Sequence, residues 1–130
     1  MRGFFLGCFQ RSVSKDGRVA FPTEFRDGSE DGKWLLIPPF ADGEGLILVP
    51  SGRFNEEITR LQTDAAESRT DELAALRRSV LVEIDRQGNL LIPGELLAFI
   101  GLGEDREVAF VGEMANIRLV GKRGKADRTL

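Results

Sequence analysis

The chain has 130 residues, 42% hydrophobic and 30% charged, with 18 Lys and Arg against 21 Asp and Glu for a net charge of −3; this fits one compact domain or two half-size units sharing a core. It has no His and one Cys, Cys8, which excludes an intrachain disulfide, leaves a zinc site with little but carboxylates, and removes the commonest general base from any catalytic scheme. No apolar run is long enough to cross a bilayer, so no membrane partner is expected, and the lone thiol fits a reducing cytosol.

The opening MRGFFLGCFQ lacks the h-region and cleavage site of a signal peptide and reads as an N-terminal strand. Cys8, among Phe4, Phe5, Leu6 and Phe9, reads as a buried structural thiol. The strand-like run FQRSV at 9–13 leads into SKDGRVAFP at 14–22. Asp16-Gly17 marks a two-residue hairpin turn, because such a turn needs a positive φ that glycine adopts freely. Val19 and Phe21 then alternate onto one face. Pro22 ends the strand and opens a short helix, TEFR, which stops at Asp27-Gly28. The runs WLLIP at 34–38 and LILVP at 46–50 form a closing apolar hairpin.

Residues 53–78 read as a helical connector. Ser51 is a plausible N-cap, and Phe54, Ile58 and Leu61 share one helix face. A second helix follows Asp64, with Glu67 as its capping-box partner and Leu73 and Leu76 on its apolar side.

The pattern then repeats. DRQGNLLIP at 85–93 follows the run LVEI, and at an offset of 71 Gly17 matches Gly88, Pro22 matches Pro93, and Lys15 matches Arg86. Val19, Ala20 and Phe21 match Leu90, Leu91 and Ile92. A helix GELLAFI stops at Gly101, and EVAFV and IRLV close the copy. Two copies are too few for a solenoid but suit a pseudo-symmetric unit in which each half completes the other. The expected division is a first repeat at 1–52, the connector at 53–78, a second repeat at 79–121 and a flexible basic tail at 122–130. The fold class is mixed α+β, mainly β.

No catalytic constellation emerges: the serines have no His to activate them, no carboxylate pair is selected by spacing, and GEG at 43–45 lies in a hairpin turn and not before a helix. Neither a cofactor nor a metal is expected. Charge is uneven: residues 1–26 carry +3, residues 27–79 carry −5, and Arg118–Leu130 has five basic groups against Asp127. Lys15 and Arg18 flank Asp16-Gly17, and Arg11 lies on the strand leading in. A two-stranded ribbon fits a DNA major groove, and an Arg at its tip can grip a guanine edge or a phosphate. The same residues fit a plainer reading, in which Arg18 pairs with a carboxylate and Lys15 is merely solvated.

MRGFFLGCFQRSVSKDGRVAFPTEFR resembles the opening of the MraZ family: a phenylalanine-led strand, a D-x-K-G-R turn, a strand, then Pro-x-x-Phe-Arg. VEIDRQGNLLIPGELLAFIGLGEDREVAFVG resembles that family's second copy, and the likeness covers roughly residues 1–120. The resemblance implies two AbrB-like swapped-hairpin repeats forming one pseudo-dimeric β-barrel, a homo-oligomeric closed ring, and binding of double-stranded DNA at tandem short promoter repeats upstream of the bacterial division and cell-wall gene cluster. It implies transcriptional regulation, usually repression, by a cytoplasmic, nucleoid-associated protein that is not an enzyme. Arg18 inherits the family's chief DNA-contacting role, with Lys15, Arg11 and Arg86 as supporting contacts. Gly17, Pro22, Asp85, Gly88, Asn89 and Pro93 inherit turn-building roles. The chain departs from the pattern at Ser14 (Asp in the family), Asp16 (Lys), Asn89 (Arg) and Leu97 (Arg). A ring-forming interaction scaffold that has lost specific DNA binding is therefore the rival expectation.

Overall fold

The computed structural model describes residues 5–39, 44–53, 56, 74 and 77–121. The elements are β1 (Cys8–Ser12), β2 (Arg18–Ala20), α1 (Thr23–Arg26), β3 (Lys33–Ile37), β4 (Leu46–Pro50), β5 (Val80–Glu83), β6 (Asn89–Leu91), α2 (Gly94–Leu97), β7 (Glu107–Gly112) and β8 (Ile117–Gly121), with a 3-10 turn at Ser51–Arg53. The fold is mainly β with few helical residues. The predicted connector helices, with Phe54, Ile58, Leu61, Leu73 and Leu76, and the tail at 122–130 lie outside the described residues.

Six strands form one antiparallel sheet in the order β1-β7-β8-β4-β3-β5, and β2 and β6 form a separate ribbon. That order reads the same from either end when the copies are exchanged. The first strand of each repeat pairs with the third strand of the other: Arg11 faces Val108 across β1 and β7, and Trp34 faces Val82 across β3 and β5. Val19 faces Leu90 at the centre of the ribbon and Ile47 faces Arg118 between β4 and β8, so matched residues of the two repeats meet on the pseudo-axis. The sheet order has two ends, β1 and β5, and among the described residues no ladder joins them, so these pairings do not show the expected closed barrel. The ribbon packs against the sheet, and Val19, Phe21, Leu90 and Ile92 are buried with Trp34, Leu36 and Phe110.

Aromatic residues knit the two halves. Phe5, Trp34, Phe21 and Phe110 follow one another at ring separations of 5.6, 4.9 and 5.5 Å. Phe25, the one buried residue of α1, takes the edges of Phe5 and Phe9. Each buried aromatic of this size is worth about 1.5–3 kcal/mol, with up to about 1.5 kcal/mol more for a good edge contact. Phe9 turns inward along β1, so its neighbours Cys8 and Gln10 point outward. Cys8 is consequently exposed, contrary to the expectation of a buried thiol.

Three local expectations are corrected. Ser51 does not cap a long helix; it starts the 3-10 turn, and its hydroxyl donates to the Asp31 carboxylate at 2.9 Å. Pro22 and Pro93 stand at the N-cap, one residue before the first helical turn. The second helix ends at Leu97 and not at Ile100, because Phe99 and Ile100 donate to carbonyls three residues back and tighten the chain before Gly101.

Candidate nucleic-acid interface

The two turns are built to one plan. In the first, Ser14 N–H donates to the Arg18 carbonyl at 2.9 Å and Gly17 N–H to the Ser14 carbonyl at 3.0 Å. In the second, Asp85 N–H donates to Asn89 and Gly88 N–H to Asp85, both at 2.9 Å. Three residues therefore lie within each loop, not two, and the third is a glycine in the left-handed region, φ +93° at Gly17 and +85° at Gly88. Each glycine carbonyl also accepts from the end of the opposite ribbon strand: Ile92 N–H donates to Gly17 and Phe21 N–H to Gly88, both at 2.9 Å. The ribbon thus holds the two turns at a fixed separation.

The caps inside the turns differ. Asp85 Oδ1 accepts from the backbone N–H of Gln87 at 2.9 Å and of Asn89 at 2.8 Å. Ser14 is the counterpart of Asp85 in the first turn. Its hydroxyl accepts from Arg18 N–H at 3.0 Å and donates to the Asp16 carboxylate. That hydroxyl, followed by the charge of Arg18, holds the Asp16 carboxyl below its ordinary value of 3.8.

Alternation along the ribbon buries Val19 and Leu90 and exposes Arg18, Ala20 and Leu91, with Asn89 half-buried. Arg18 is 44% exposed; its Nη1 lies 3.0 Å from Asp16 and its Nε 3.6 Å from Asp85 of the other repeat. Lys15 and Arg86 are exposed at the matching positions of the two loops. Arg11 is held elsewhere: Nη1 donates to the Gln10 carbonyl at 2.7 Å, and the guanidinium sits 5.9 Å from the Phe9 ring centre.

Two residues that sequence reasoning does not single out join this face. Arg26, the last residue of α1, lays its guanidinium on the second turn, where a Cβ at Gly88 would stand 2.0 Å from Nη2. Its counterpart Leu97 lies against Gly17, with Cδ1 3.5 Å from where a Cβ would stand there. Each turn therefore gathers two cations and one carboxylate: Lys15 and Arg18 with Asp16, and Arg86 and Arg26 with Asp85. The Leu97 departure from the repeated Pro-x-x-apolar-Arg pattern is the available signal. The other residue is Arg106, whose Nε and Nη2 donate to the carbonyls of Val13 at 2.9 Å and Ser14 at 2.8 Å.

Among the described residues no cluster of three or more Cys, Asp or Glu could hold a metal, and no helix is long and apolar enough to cross a membrane. The arrangement offers charge-assisted donors to an anion and presents no nucleophile with a base.

No family model matches the sequence. Curated relatives do. A protein of Thermomicrobium roseum named "Transcriptional regulator MraZ" is 32% identical over 111 residues, 83% of this chain and 75% of that one. One of the same name from Thermus thermophilus is 30% identical over 117 residues, covering 88% and 79%. One from Lachnoclostridium phytofermentans is 28% identical over 120 residues, covering 91% and 82%. Among solved structures, the solution structure of PHS018 from Pyrococcus horikoshii aligns with 90% of this chain and 91% of that one at 18% identity and a TM-score of 0.38, too distant to carry an argument.

Proposed function

Since this chain belongs to the MraZ family of transcriptional regulators, we propose that it regulates transcription by binding double-stranded DNA through the two turns that flank the β2–β6 ribbon. The observation that carries this reading is Arg18, an exposed guanidinium at the start of the ribbon. It sits on a turn whose plan recurs at the other end. Arg18 grips a guanine edge or a phosphate, and Lys15, Arg86 and Arg26 add phosphate contacts. Arg11 is an outlying contact. Gly17, Gly88, Pro22, Pro93, Asp85 and Asn89 shape the turns.

The family resemblance extends the proposal. Repeats at 1–52 and 79–121, joined by the connector at 53–78 and followed by the basic tail at 122–130, form swapped hairpins that complete one pseudo-dimeric barrel. Several chains close into a ring, and the ring engages tandem short promoter repeats by avidity, so each turn can bind weakly. The protein acts as a repressor in the cytoplasm, associated with the nucleoid, and performs no catalysis. The test is footprinting on the DNA upstream of its own gene. Periodic protection that disappears with Arg18→Ala is expected, and protection that persists unchanged would sink the reading.

One observation favours a second reading, a ring-forming scaffold without specific DNA binding: Asp16 and Asp85 both engage the Arg18 guanidinium. A salt titration separates the two. A DNA binder loses affinity steeply as salt rises, whereas the scaffold leaves duplex DNA unbound even at low salt.

A further inference from the structure

We propose that Arg106 is a positioning residue: it reaches from the second repeat to lock the first turn, and through that turn it sets the aim of Arg18. The link to Arg18's task rests on the DNA-binding reading above; the lock itself does not.

Arg106 holds the root of the turn at three points. Its carbonyl accepts from Val13 N–H at 2.9 Å, its Nε donates to the Val13 carbonyl at 2.9 Å, and its Nη2 donates to the Ser14 carbonyl at 2.8 Å. Ser14 O also accepts from Gly17 N–H at 3.0 Å, so both of its lone pairs are used. A planar guanidinium suits two successive carbonyls, because its donors diverge at a fixed angle.

The pseudo-symmetry supplies the control. The counterpart of Arg106 is Gly32, which accepts from Ile84 N–H at 3.0 Å just as Arg106 accepts from Val13. Both residues take a positive φ, +54° at Arg106 and +73° at Gly32. The backbone path therefore suits glycine, and the second repeat tolerates strain there to carry a long side chain. The first turn is also the one with the weaker internal cap. Asp85 Oδ1 accepts two backbone N–H groups in the second turn, whereas the Ser14 hydroxyl accepts one and spends its hydrogen on Asp16. Arg106 thus makes up, from outside, for the carboxylate that the first turn lacks.

The test compares the two turns in one molecule. In Arg106→Gly, which the matching Gly32 shows to be compatible with the backbone, amide exchange measured by NMR is expected to quicken about tenfold at Ser14 and Gly17 and to stay unchanged at Asp85 and Gly88. Arg106→Lys, which keeps the charge but loses the fork, gives a smaller rise at the same amides. Adding Ser14→Asp and Asp16→Gln to Arg106→Gly copies the cap of the second turn and is expected to restore slow exchange. Affinity for duplex DNA from upstream of the protein's own gene falls about fivefold in Arg106→Gly as the contact loses its preorganisation. Unchanged exchange, or an equal rise at both turns, would overturn the lock, and failure of the added pair to restore it would overturn the compensation. A loosened turn with undiminished affinity would overturn the link to Arg18. If the unaltered protein binds no duplex DNA, the DNA-binding reading fails instead, and the exchange data still decide whether Arg106 locks the turn.

Discussion

Arg26 and Gly88 come from different repeats and touch: the guanidinium lies where a side chain at position 88 would begin. Gly17, at the matching place, is closed off differently, by the backbone carbonyl of Ile92, 2.6 Å from where a Cβ would stand. A flexible guanidinium can swing aside, but a carbonyl in a paired ribbon cannot. Gly17→Ala is therefore expected to cost more than Gly88→Ala, although both require the same left-handed backbone. The expected losses are about 2 kcal/mol or more at position 17 and about 1 kcal/mol at position 88. Thermal unfolding followed by the fluorescence of Trp34, which is fully buried, measures both; equal losses would show that strain alone decides.

Arg18→Ala should abolish specific duplex binding while leaving the thermal midpoint nearly unchanged, because the ion pairs it breaks are solvent-exposed. Asn89→Ala should alter binding little, since the contacts that hold the second turn use the backbone of Asn89 and not its amide side chain. Fluorescence anisotropy with labelled duplex gives the affinities.

Arg26→Ala should weaken binding a few-fold and reduce the slope of log affinity against log salt by about one for each turn lost from phosphate contact. Arg26 has no hydrogen bond or ion pair through its side chain among the described residues, so folding should change little. An unchanged salt slope would remove Arg26 from the interface.

Asp16→Asn should strengthen duplex binding several-fold, because it removes a negative charge from a phosphate-facing turn and releases Arg18. A loss of affinity would mean that Asp16 is needed to hold Arg18 in place. The same carboxylate, like Asp31, has a lowered pKa. For Asp31 the chief cause is the backbone N–H of Lys33, followed by the Ser51 hydroxyl. Both groups are more acidic folded than unfolded. Their contribution to stability is therefore complete above the ordinary value of 3.8 and fades as pH falls through the lower folded values. Stability measured against pH should drop less steeply below about pH 4 in Asp31→Asn than in the unaltered protein.

Much of this is legible in the residues. The matched Gly17 and Gly88, the alternation around Val19 and Leu90, and the runs at 34–38 and 46–50 each state a local preference that the fold keeps. Cys8 departs from expectation because an apolar neighbourhood in sequence says nothing about which face of a strand a residue takes; Phe9 claims the inside, so Cys8 points outward. The turns hold one residue more than their dipeptides suggest, since a glycine marks a positive φ but does not count the residues of the loop. Ser51 has the look of a cap because its partner, Asp31, lies 20 residues away and leaves no local trace.

The sequence by itself determined that the chain is two copies of one unit, that each copy needs a glycine turn and a proline-led helix, and that Arg18 is not required for that plan, because Asn89 fills its place in the second copy. These are short-range matters of φ, alternation and repeated pattern. Only the tertiary structure decided that the copies exchange strands, that Arg26 serves the other repeat's turn, and that Arg106 holds the root of the first turn across 92 residues of chain. Such contacts are set by the pseudo-twofold packing of the ribbon on the sheet, and no local preference encodes which arginine reaches which turn.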